Sequence, residues 1–176
     1  MNRKLLELFE IPGIIVKIPT IWLLKQSMIN NKIMYNAHLM VRYKTIESYI
    51  NHNNNNWWNI YNKMQRLRVS QKKIIPRNKA DNELCFKNLI HSIKDNGFDD
   101  NYPIIINHHF RLVDGSHRLA IALYLKIPYV PVTMTKDTID IDPEYSLNWF
   151  QENGFDGIID EIKNTYKKIM KEDKNE

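Results

Sequence analysis

The sequence predicts an α+β fold in which a small mixed β-sheet has flanking helices, with helical extensions at both ends. Two observations support this prediction. Short apolar runs bounded by turn residues alternate, in the middle of the chain, with segments whose apolar residues recur every three or four positions. In addition, 43% of the 176 residues are apolar, which is enough for one core of ordinary size.

The central elements are predicted in the order strand, helix, strand, strand, helix, strand. Mixing the two element types over so short a segment favours a small sheet covered by helices. The first helix begins at Asp81 or Asn82 and ends at Gly97, and Phe86, Leu89, Ile90 and Ile93 line its apolar face. The strands and the second helix correspond to KKIIP (72–76), YPIIIN (102–107), FRLV (110–113), RLAIALYLK (118–126) and YVPVTM (129–134).

The two ends of the chain are predicted to be helical. Before the central part, helical patterns cover residues 2–9, 20–30 and 34–50, and the C-terminal segment ends in an amphipathic helix. We therefore divide the chain into an N-terminal extension (1–70), a core (71–136) and an acidic C-terminal extension (137–176).

Composition argues against a membrane protein and a disulfide-stabilised one. The most apolar stretch, near the N-terminus, is interrupted by Lys17 and Pro19, so no membrane span is predicted. Cys85 is the single cysteine of the sequence, so no disulfide can form within one chain. These features favour a cytoplasmic protein that does not act at a membrane; the oligomeric state stays open.

Charge is distributed unevenly. Residues 1–136 carry 20 Lys or Arg and 9 Asp or Glu, a balance of +11, whereas residues 137–176 carry 5 and 11, a balance of −6. A basic body could bind nucleic acid, a nucleotide or a phosphorylated metabolite. Alternatively, the acidic tail packs against the body and neutralises it. The densest basic stretch, residues 63–79, could contact nucleic-acid phosphates or form a solvated face.

The junction between the predicted strand FRLV and the helix that follows it, Asp114-Gly115-Ser116-His117-Arg118, combines features of an anion site. Gly115 permits a sharp turn, and the N–H groups of a helix beginning at Ser116 suit a phosphate. Arg118 can form two hydrogen bonds to phosphate oxygens at once, and His117 can donate a hydrogen bond to a phosphate or shuttle a proton. Asp114 could hold a metal ion or orient a hydroxyl nucleophile. An ordinary helix cap is the alternative interpretation.

The sequence PIIINHHFRLVDGSHRLAIALYLKIPYVPV (103–132), preceded by IIPRN and LIHSIKDNGF, resembles the ParB/sulfiredoxin superfamily. The resemblance covers roughly residues 72–134 and follows the superfamily pattern PI.V…L.DG.HR..A…G…P. It implies a ParB/sulfiredoxin-like fold for the core. The superfamily contains several chemistries, so the fold alone does not give the function.

The motif is most similar to the free-serine-kinase branch, which carries Asp-Gly-His-His-Arg. Sulfiredoxins have a cysteine where this chain has Ser116, so repair of a sulfinic acid is not expected. Chromosome-partitioning proteins carry Gly-Glu-Arg-Arg and a helix-turn-helix domain, for which residues 137–176 are too short and too acidic. The kinase resemblance implies that the loop containing Gly115, Ser116, His117 and Arg118 binds nucleotide phosphates. Arg77, close in sequence to the first predicted strand, could help to hold a nucleotide.

One position departs from the kinase pattern. A catalytic Glu follows the first strand in those enzymes, whereas this chain has Pro76-Arg77-Asn78, and an amide cannot act as a base. Glu83, Asp114 or the more distant Glu47 could replace it.

The sequence thus predicts a kinase that uses ATP or ADP with Mg²⁺ to phosphorylate a hydroxyl of a small metabolite, such as an amino acid or polyol. Asp114, His117 and Glu83 are the candidate catalytic residues, and Asp114 is the candidate metal ligand. The alternative function is a ParB-like nucleotide- or DNA-binding module without phosphotransfer.

Overall fold

A computed structural model describes residues 11, 13–30, 33–53, 56–71, 79–135 and 146–172. Within these residues, seven α-helices and a four-stranded mixed sheet confirm the predicted α+β class. The strands are β1 (Val16–Pro19), β2 (Ile29–Asn30), β3 (Ile33–Met34), β4 (Ile104–Ile106), β5 (Leu112–Asp114) and β6 (Tyr129–Met134). The helices are α1 (Thr20–Met28), α2 (His38–Ile50), α3 (Trp57–Ser70), α4 (Lys79–Asn96), α5 (Ser116–Tyr124), α6 (Leu147–Glu152) and α7 (Ile159–Glu172).

The sheet has the strand order β1-β6-β4-β5, and β2 and β3 form a separate two-stranded ribbon. Strand β6 pairs antiparallel with β1 and parallel with β4, and β4 pairs antiparallel with the edge strand β5. The chain leaves β5 directly into α5 and returns through β6 on the far side of β4. This crossover places the Asp114–Arg118 junction at one edge of the sheet, beside β4.

The predicted helices at 20–30 and 34–50 are confirmed as α1 and α2, and the one predicted at 2–9 lies outside the described residues. The N-terminal extension is not purely helical, however, because β1 joins the sheet. Ile18 in β1 is fully buried and its neighbours are more exposed, which is the alternation of a strand with one covered face. The pairing partner of β1 lies more than 100 residues away in β6, so no local sequence pattern predicts this pairing. The predicted strand at 72–76 lies outside the described residues.

Helix α5 lies at the centre of the fold, where α1, α2 and α4 pack against it. Its residues from Leu119 to Leu123 are all buried because they are apolar around the whole helix, which suits a helix covered on several sides. Residues before and after the predicted boundary at residue 70 contribute to one hydrophobic core. The position of the boundary itself stays a prediction.

Helix α4 confirms the predicted apolar face. Phe86, Ile90 and Ile93 are buried, and Gly97 follows the last helical residue with a φ of +78°. The predicted start is wrong, because the helix begins at Lys79 and includes Asp81 rather than using it as a cap. Lys and Ala are good helix formers, so the two residues before Asp81 extend the helix by half a turn.

Helix α7 confirms, for the described part of the acidic tail, that it packs against the basic body. Its Ile159, Ile162 and Ile169 are buried, and the helix contacts α2. Carboxylates of α7 also reach lysines of the body: Lys44 Nζ lies 3.2 Å from Glu161 Oε1, and Lys126 Nζ lies 3.2 Å from Glu172 Oε2. Within the described ranges, none of the helices combines the length and apolar character needed to cross a bilayer.

Candidate functional site

The predicted junction forms a sharp corner between β5 and α5. Asp114 is the last residue of β5, Gly115 is the N-cap of α5, and the first helical hydrogen bond runs from the Leu119 N–H to the Gly115 carbonyl at 2.8 Å. The N–H groups of Ser116, His117 and Arg118 precede that bond, so they lie at the positive end of the helix. The side chain of Asp114 is 68% exposed beside them.

Gly115 is required by the shape of this corner. Its φ is +94°, in the left-handed region that other residues rarely adopt. A Cβ atom there would lie 3.0 Å from Cγ1 and 3.2 Å from Cα of Ile104, and 3.3 Å from Nη2 of Arg118. The corner therefore packs directly onto β4, and only a residue without a side chain permits that approach.

Arg118 clamps the corner to the loop that precedes β4. Its Nη1 donates to the carbonyl oxygens of Tyr102 and of Pro103, the latter at 2.9 Å, and its Nη2 donates to Asp114 Oδ2 at 2.9 Å. These bonds use three of the five N–H donors of the guanidinium group. The side chain is only 17% exposed. Arg118 therefore has a structural role that the phosphate-binding prediction did not include, and it keeps donor capacity for two further acceptors.

A pocket of about 410 Å³ adjoins Arg118. Its walls combine apolar and aromatic side chains with three polar or charged ones, and it lies between the end of α4 and the loop before β4. It is lined by Leu89, Ser92, Ile93, Gly97, Phe98, Asp99, Tyr102 and Arg118. Because Arg118 also bonds to Asp114, the pocket and the corner share this side chain.

His117 extends from the corner toward the helices. Its Nε2 lies 2.9 Å from the hydroxyl oxygen of Tyr61 in α3, and its ring meets the ring of Phe86 in α4 edge-on, with centroids 4.6 Å apart. Sequence analysis missed Tyr61. It lies 56 residues before His117, and no motif links the two positions.

Glu83 lies one helical turn before Phe86, where its carboxylate has two partners. Asn62 Nδ2 donates a short hydrogen bond to Oε1, and Lys87 Nζ lies 3.9 Å from Oε2. Glu47 lies on another surface, where Lys44 and Lys168 pair with it. Neither carboxylate has a described contact with Asp114. The predicted residues Arg77 and Asn78 lie outside the described residues.

Several cationic side chains gather behind His117. Arg42 in α2 is fully buried, donates from Nη1 to the His38 carbonyl at 3.2 Å, and lies 6.0 Å from the centre of the Tyr61 ring. Burial lowers the pKa of His38 well below its ordinary value, and the charges of Arg42 and Arg68 lower it further. The interior behind the corner therefore has a positive potential, which favours an anion in front of it.

The depressed pKa of His38 predicts a loss of stability on acidification. The unfolded chain takes up a proton on His38 below about pH 6.5, while the folded protein does not, so unfolding becomes easier by up to about 1.4 kcal/mol per pH unit. This stability is present above pH 6.5 and is lost as the pH falls toward the folded pKa. Urea unfolding at about pH 7.5 and at about pH 5.5 gives the free energy of unfolding at each pH. His38→Gln should make the difference between these two free energies about 1 kcal/mol smaller than in the wild type. If the two free energies of His38→Gln differ by as much as those of the wild type, the assignment is wrong.

The basic stretch at 63–79 does not form a continuous charged face in its described part. Lys63 Nζ donates to the Gly154 carbonyl at 2.6 Å and lies 4.4 Å from the centre of the Phe155 ring. Arg68 turns toward Gln65, whose Oε1 accepts from its Nη1 at 2.8 Å. Arg66 is exposed. Two of these three cations therefore serve contacts within the protein.

Comparison of the chain with protein-family models, with curated proteins and with solved structures finds no match. The resemblance to the ParB/sulfiredoxin superfamily accordingly depends on the motif residues alone and stays a prediction.

Proposed function

We propose that this protein is a nucleotide-dependent phosphotransferase that phosphorylates a hydroxyl of a small metabolite. The observation that carries the proposal is the position of Arg118. This side chain bonds to the exposed carboxylate of Asp114 on one side and lines a pocket large enough for a nucleoside on the other. A phosphate group at the corner would thus lie between a base-binding pocket and a carboxylate.

The phosphates of the nucleotide would bind at the first turn of α5. The N–H groups at this helix N-terminus would donate to the phosphate oxygens, and the hydroxyl of Ser116 would add a further donor. Arg118 can supply its two remaining N–H donors without leaving the Tyr102 and Pro103 carbonyls. The cations behind His117 strengthen the attraction, and Arg77 is a further proposed contact.

The nucleoside would occupy the pocket beside Arg118. Phe98 and Tyr102 offer aromatic faces for a base, and Ser92 and Asp99 offer polar groups for its edge. Stacking of a base on an aromatic side chain typically contributes about 1–3 kcal/mol. ATP or ADP fits this description, with an amino acid or polyol as the acceptor in front of Asp114.

In the proposed reaction the acceptor hydroxyl oxygen forms a bond to the terminal phosphorus, and the bond from that phosphorus to the bridging oxygen breaks. The hydroxyl proton passes to Asp114, and the nucleotide leaves with one phosphate fewer. Asp114 is favoured over Glu83 as the base because its side chain is 68% exposed and the described contact with Arg118 uses only Oδ2. Both carboxylate oxygens of Glu83, in contrast, have a described partner, Asn62 or Lys87.

A Mg²⁺ ion would neutralise charge on the transferred phosphate. In the part of the chain that the structure describes, no cluster of three or more His, Cys, Asp or Glu side chains is placed to hold a metal. Nucleotide-bound Mg²⁺ needs only one or two protein carboxylates, because phosphates and water supply the other ligands. Asp114 therefore fits a Mg²⁺ ion that enters with the nucleotide.

Nucleotide binding should depend on Tyr102. We expect ATP or ADP with Mg²⁺ to raise the melting temperature, since a ligand that binds only the folded state stabilises it. Tyr102→Ser should weaken the affinity by a factor of about 5–150, the equivalent of one stacked base. Its backbone carbonyl still accepts from Arg118, so the fold is kept. Titration calorimetry with ADP and with ATP measures the effect.

Tyr129→Ser is the matched control, because Tyr129 is similarly exposed but lies at the start of β6, away from the pocket. Equal affinities for wild type and Tyr102→Ser would contradict a base in this pocket. Absence of any thermal shift with either nucleotide would overturn the proposal. Binding of duplex DNA that weakens steeply with salt and with loss of Arg66 would favour the nucleic-acid alternative instead.

A further inference from the structure

We infer that Tyr61 is a positioning residue for His117, and that a hydrogen-bond chain beginning at Arg68 holds His117 as the neutral tautomer with its proton on Nδ1. The tautomer is assigned from three hydrogen-bond contacts that join Arg68, Gln65, Tyr61 and His117. Its consequence for phosphate binding rests on the proposed function. Tyr61, Gln65 and Arg68 share one face of α3 because they are spaced by four and three residues.

The chain has three links. Arg68 Nη1 lies 2.8 Å from Gln65 Oε1, and Gln65 Nε2 lies 3.4 Å from the Tyr61 hydroxyl oxygen. That oxygen lies 2.9 Å from His117 Nε2. The links therefore connect a permanent positive charge on one end to the motif histidine on the other.

The first link fixes the direction of all the others. A guanidinium group can only donate, so the Gln65 carbonyl oxygen must face Arg68. The opposite orientation of the amide would place two donors 2.8 Å apart. The Gln65 NH₂ group consequently faces Tyr61 and donates to its oxygen. The Tyr61 hydroxyl proton then points at His117 Nε2, which must present a lone pair, so the neutral ring carries its proton on Nδ1.

The surroundings of Tyr61 preserve this arrangement. Tyr61 is buried, and burial raises the pKa of its hydroxyl, so the proton stays on the oxygen. The ring of Phe86 packs against both Tyr61 and His117, which restricts rotation of the imidazole. A second proton on His117 would place an N–H against the Tyr61 hydroxyl. The hydroxyl would then have to accept from His117 and Gln65 together while its own proton lost its acceptor.

This assignment selects between the two roles that the sequence leaves open for His117. Because Nε2 is engaged with the Tyr61 hydroxyl, it is not placed to take up a proton from a substrate, and the ring proton lies on Nδ1. Under the proposed function, His117 binds a phosphate oxygen rather than shuttling a proton through Nε2. Asp114 then remains the base.

The tautomer can be measured without any nucleotide. In protein labelled with ¹⁵N-histidine, long-range proton–nitrogen correlation spectra show which ring nitrogen of His117 carries the proton. We expect a protonated Nδ1 and an unprotonated Nε2 in the wild type. In Tyr61→Phe, which keeps the ring and its packing, the proton should move toward Nε2. A wild-type His117 protonated on Nε2, or a Tyr61→Phe spectrum identical to that of the wild type, would overturn the inference.

The chain contains a matched control pair. Tyr49 and His91 make the same contact, with the Tyr49 hydroxyl 2.9 Å from His91 Nε2, but they lie at the protein surface. No Gln or Arg is described as orienting that hydroxyl. His91 should accordingly show a mixture of tautomers, and Tyr49→Phe should leave the His117 spectrum unchanged. If Tyr49→Phe changes the His117 spectrum as much as Tyr61→Phe does, the change reflects a general perturbation of the protein. The positioning role of Tyr61 would then be unsupported.

A second measurement separates this inference from the proposed function. Tyr61→Phe should weaken ADP binding by up to about tenfold, because one net hydrogen bond contributes about 0.5–1.5 kcal/mol. If the tautomer is as inferred but neither protein binds ADP, the positioning role of Tyr61 stands and the proposed function fails. If ADP binds equally to both proteins while the tautomer changes, His117 does not contact the phosphate.

Discussion

Replacement of Asp114 by Asn should lower the rate of phosphotransfer by a factor of about 10² to 10⁴, the usual contribution of a positioned acid or base. The amide cannot accept the hydroxyl proton. It still offers an oxygen to Arg118 and to a Mg²⁺ ion that enters with the nucleotide, and the ion pair that it replaces contributes only about 0–1 kcal/mol to stability. Nucleotide affinity should therefore stay close to that of the wild type. Release of the product nucleotide with a panel of hydroxylated acceptors measures the rate.

Asp95→Asn is the control for this variant, since Asp95 is an exposed carboxylate near the end of α4. Glu83→Gln distinguishes the two candidate bases. If Asp114→Asn retains full turnover while Glu83→Gln loses it, Glu83 is the base and the assignment to Asp114 is wrong.

Replacement of Gly115 by Ala should cost roughly 2–5 kcal/mol of unfolding free energy. About 1–2 kcal/mol comes from the left-handed backbone and about 1–3 kcal/mol from the contact with Ile104. For a chain of this size, that loss corresponds to a fall in melting temperature of about 5–15 °C. Urea unfolding followed by circular dichroism measures the free energy.

Two other glycines separate the contributions. Gly97 has a φ of +78°, but none of the described atoms lies within 4 Å of the place that a Cβ atom would take, so Gly97→Ala should show the backbone cost alone. Gly157 has neither feature, and its change to Ala should be close to neutral. Equal losses for Gly115→Ala and Gly97→Ala would show that the corner does not press on β4.

The sequence predicted well those features that depend on neighbouring residues. The apolar face of α4, the strand that leads into the junction and the helix that follows it all result from local spacing and from Gly115, although the predicted bounds 110–113 and 118–126 differ by one or two residues from those of β5 and α5. The first turn of α5 directly follows Gly115 and the exposed Asp114, and its residues Ser116, His117 and Arg118 are half-buried. Its use as a phosphate site stays a prediction.

Features that depend on distant residues were not predictable. Strand β1 pairs with β6 across more than 100 residues, and its short apolar alternation resembles many other segments. Tyr61 belongs to an aromatic helical face that suggests only core packing. The clamp made by Arg118 was missed because its acceptors are backbone carbonyls, which carry no sequence signal. Such contacts are settled by how α3, α4 and the sheet come together.

The clamp has a thermodynamic consequence for a ligand that occupies both sides of it. Because Arg118 holds the carbonyls of Tyr102 and Pro103, any group that draws the guanidinium toward itself also changes the wall formed by Tyr102. Binding at the corner beside Asp114 and binding in the pocket lined by Tyr102 are therefore energetically coupled rather than additive. The binding free energy of an intact nucleotide would therefore differ from the sum of the binding free energies of its nucleoside and of pyrophosphate. This difference would come on top of the usual gain from joining two fragments. Arg118→Lys would remove it.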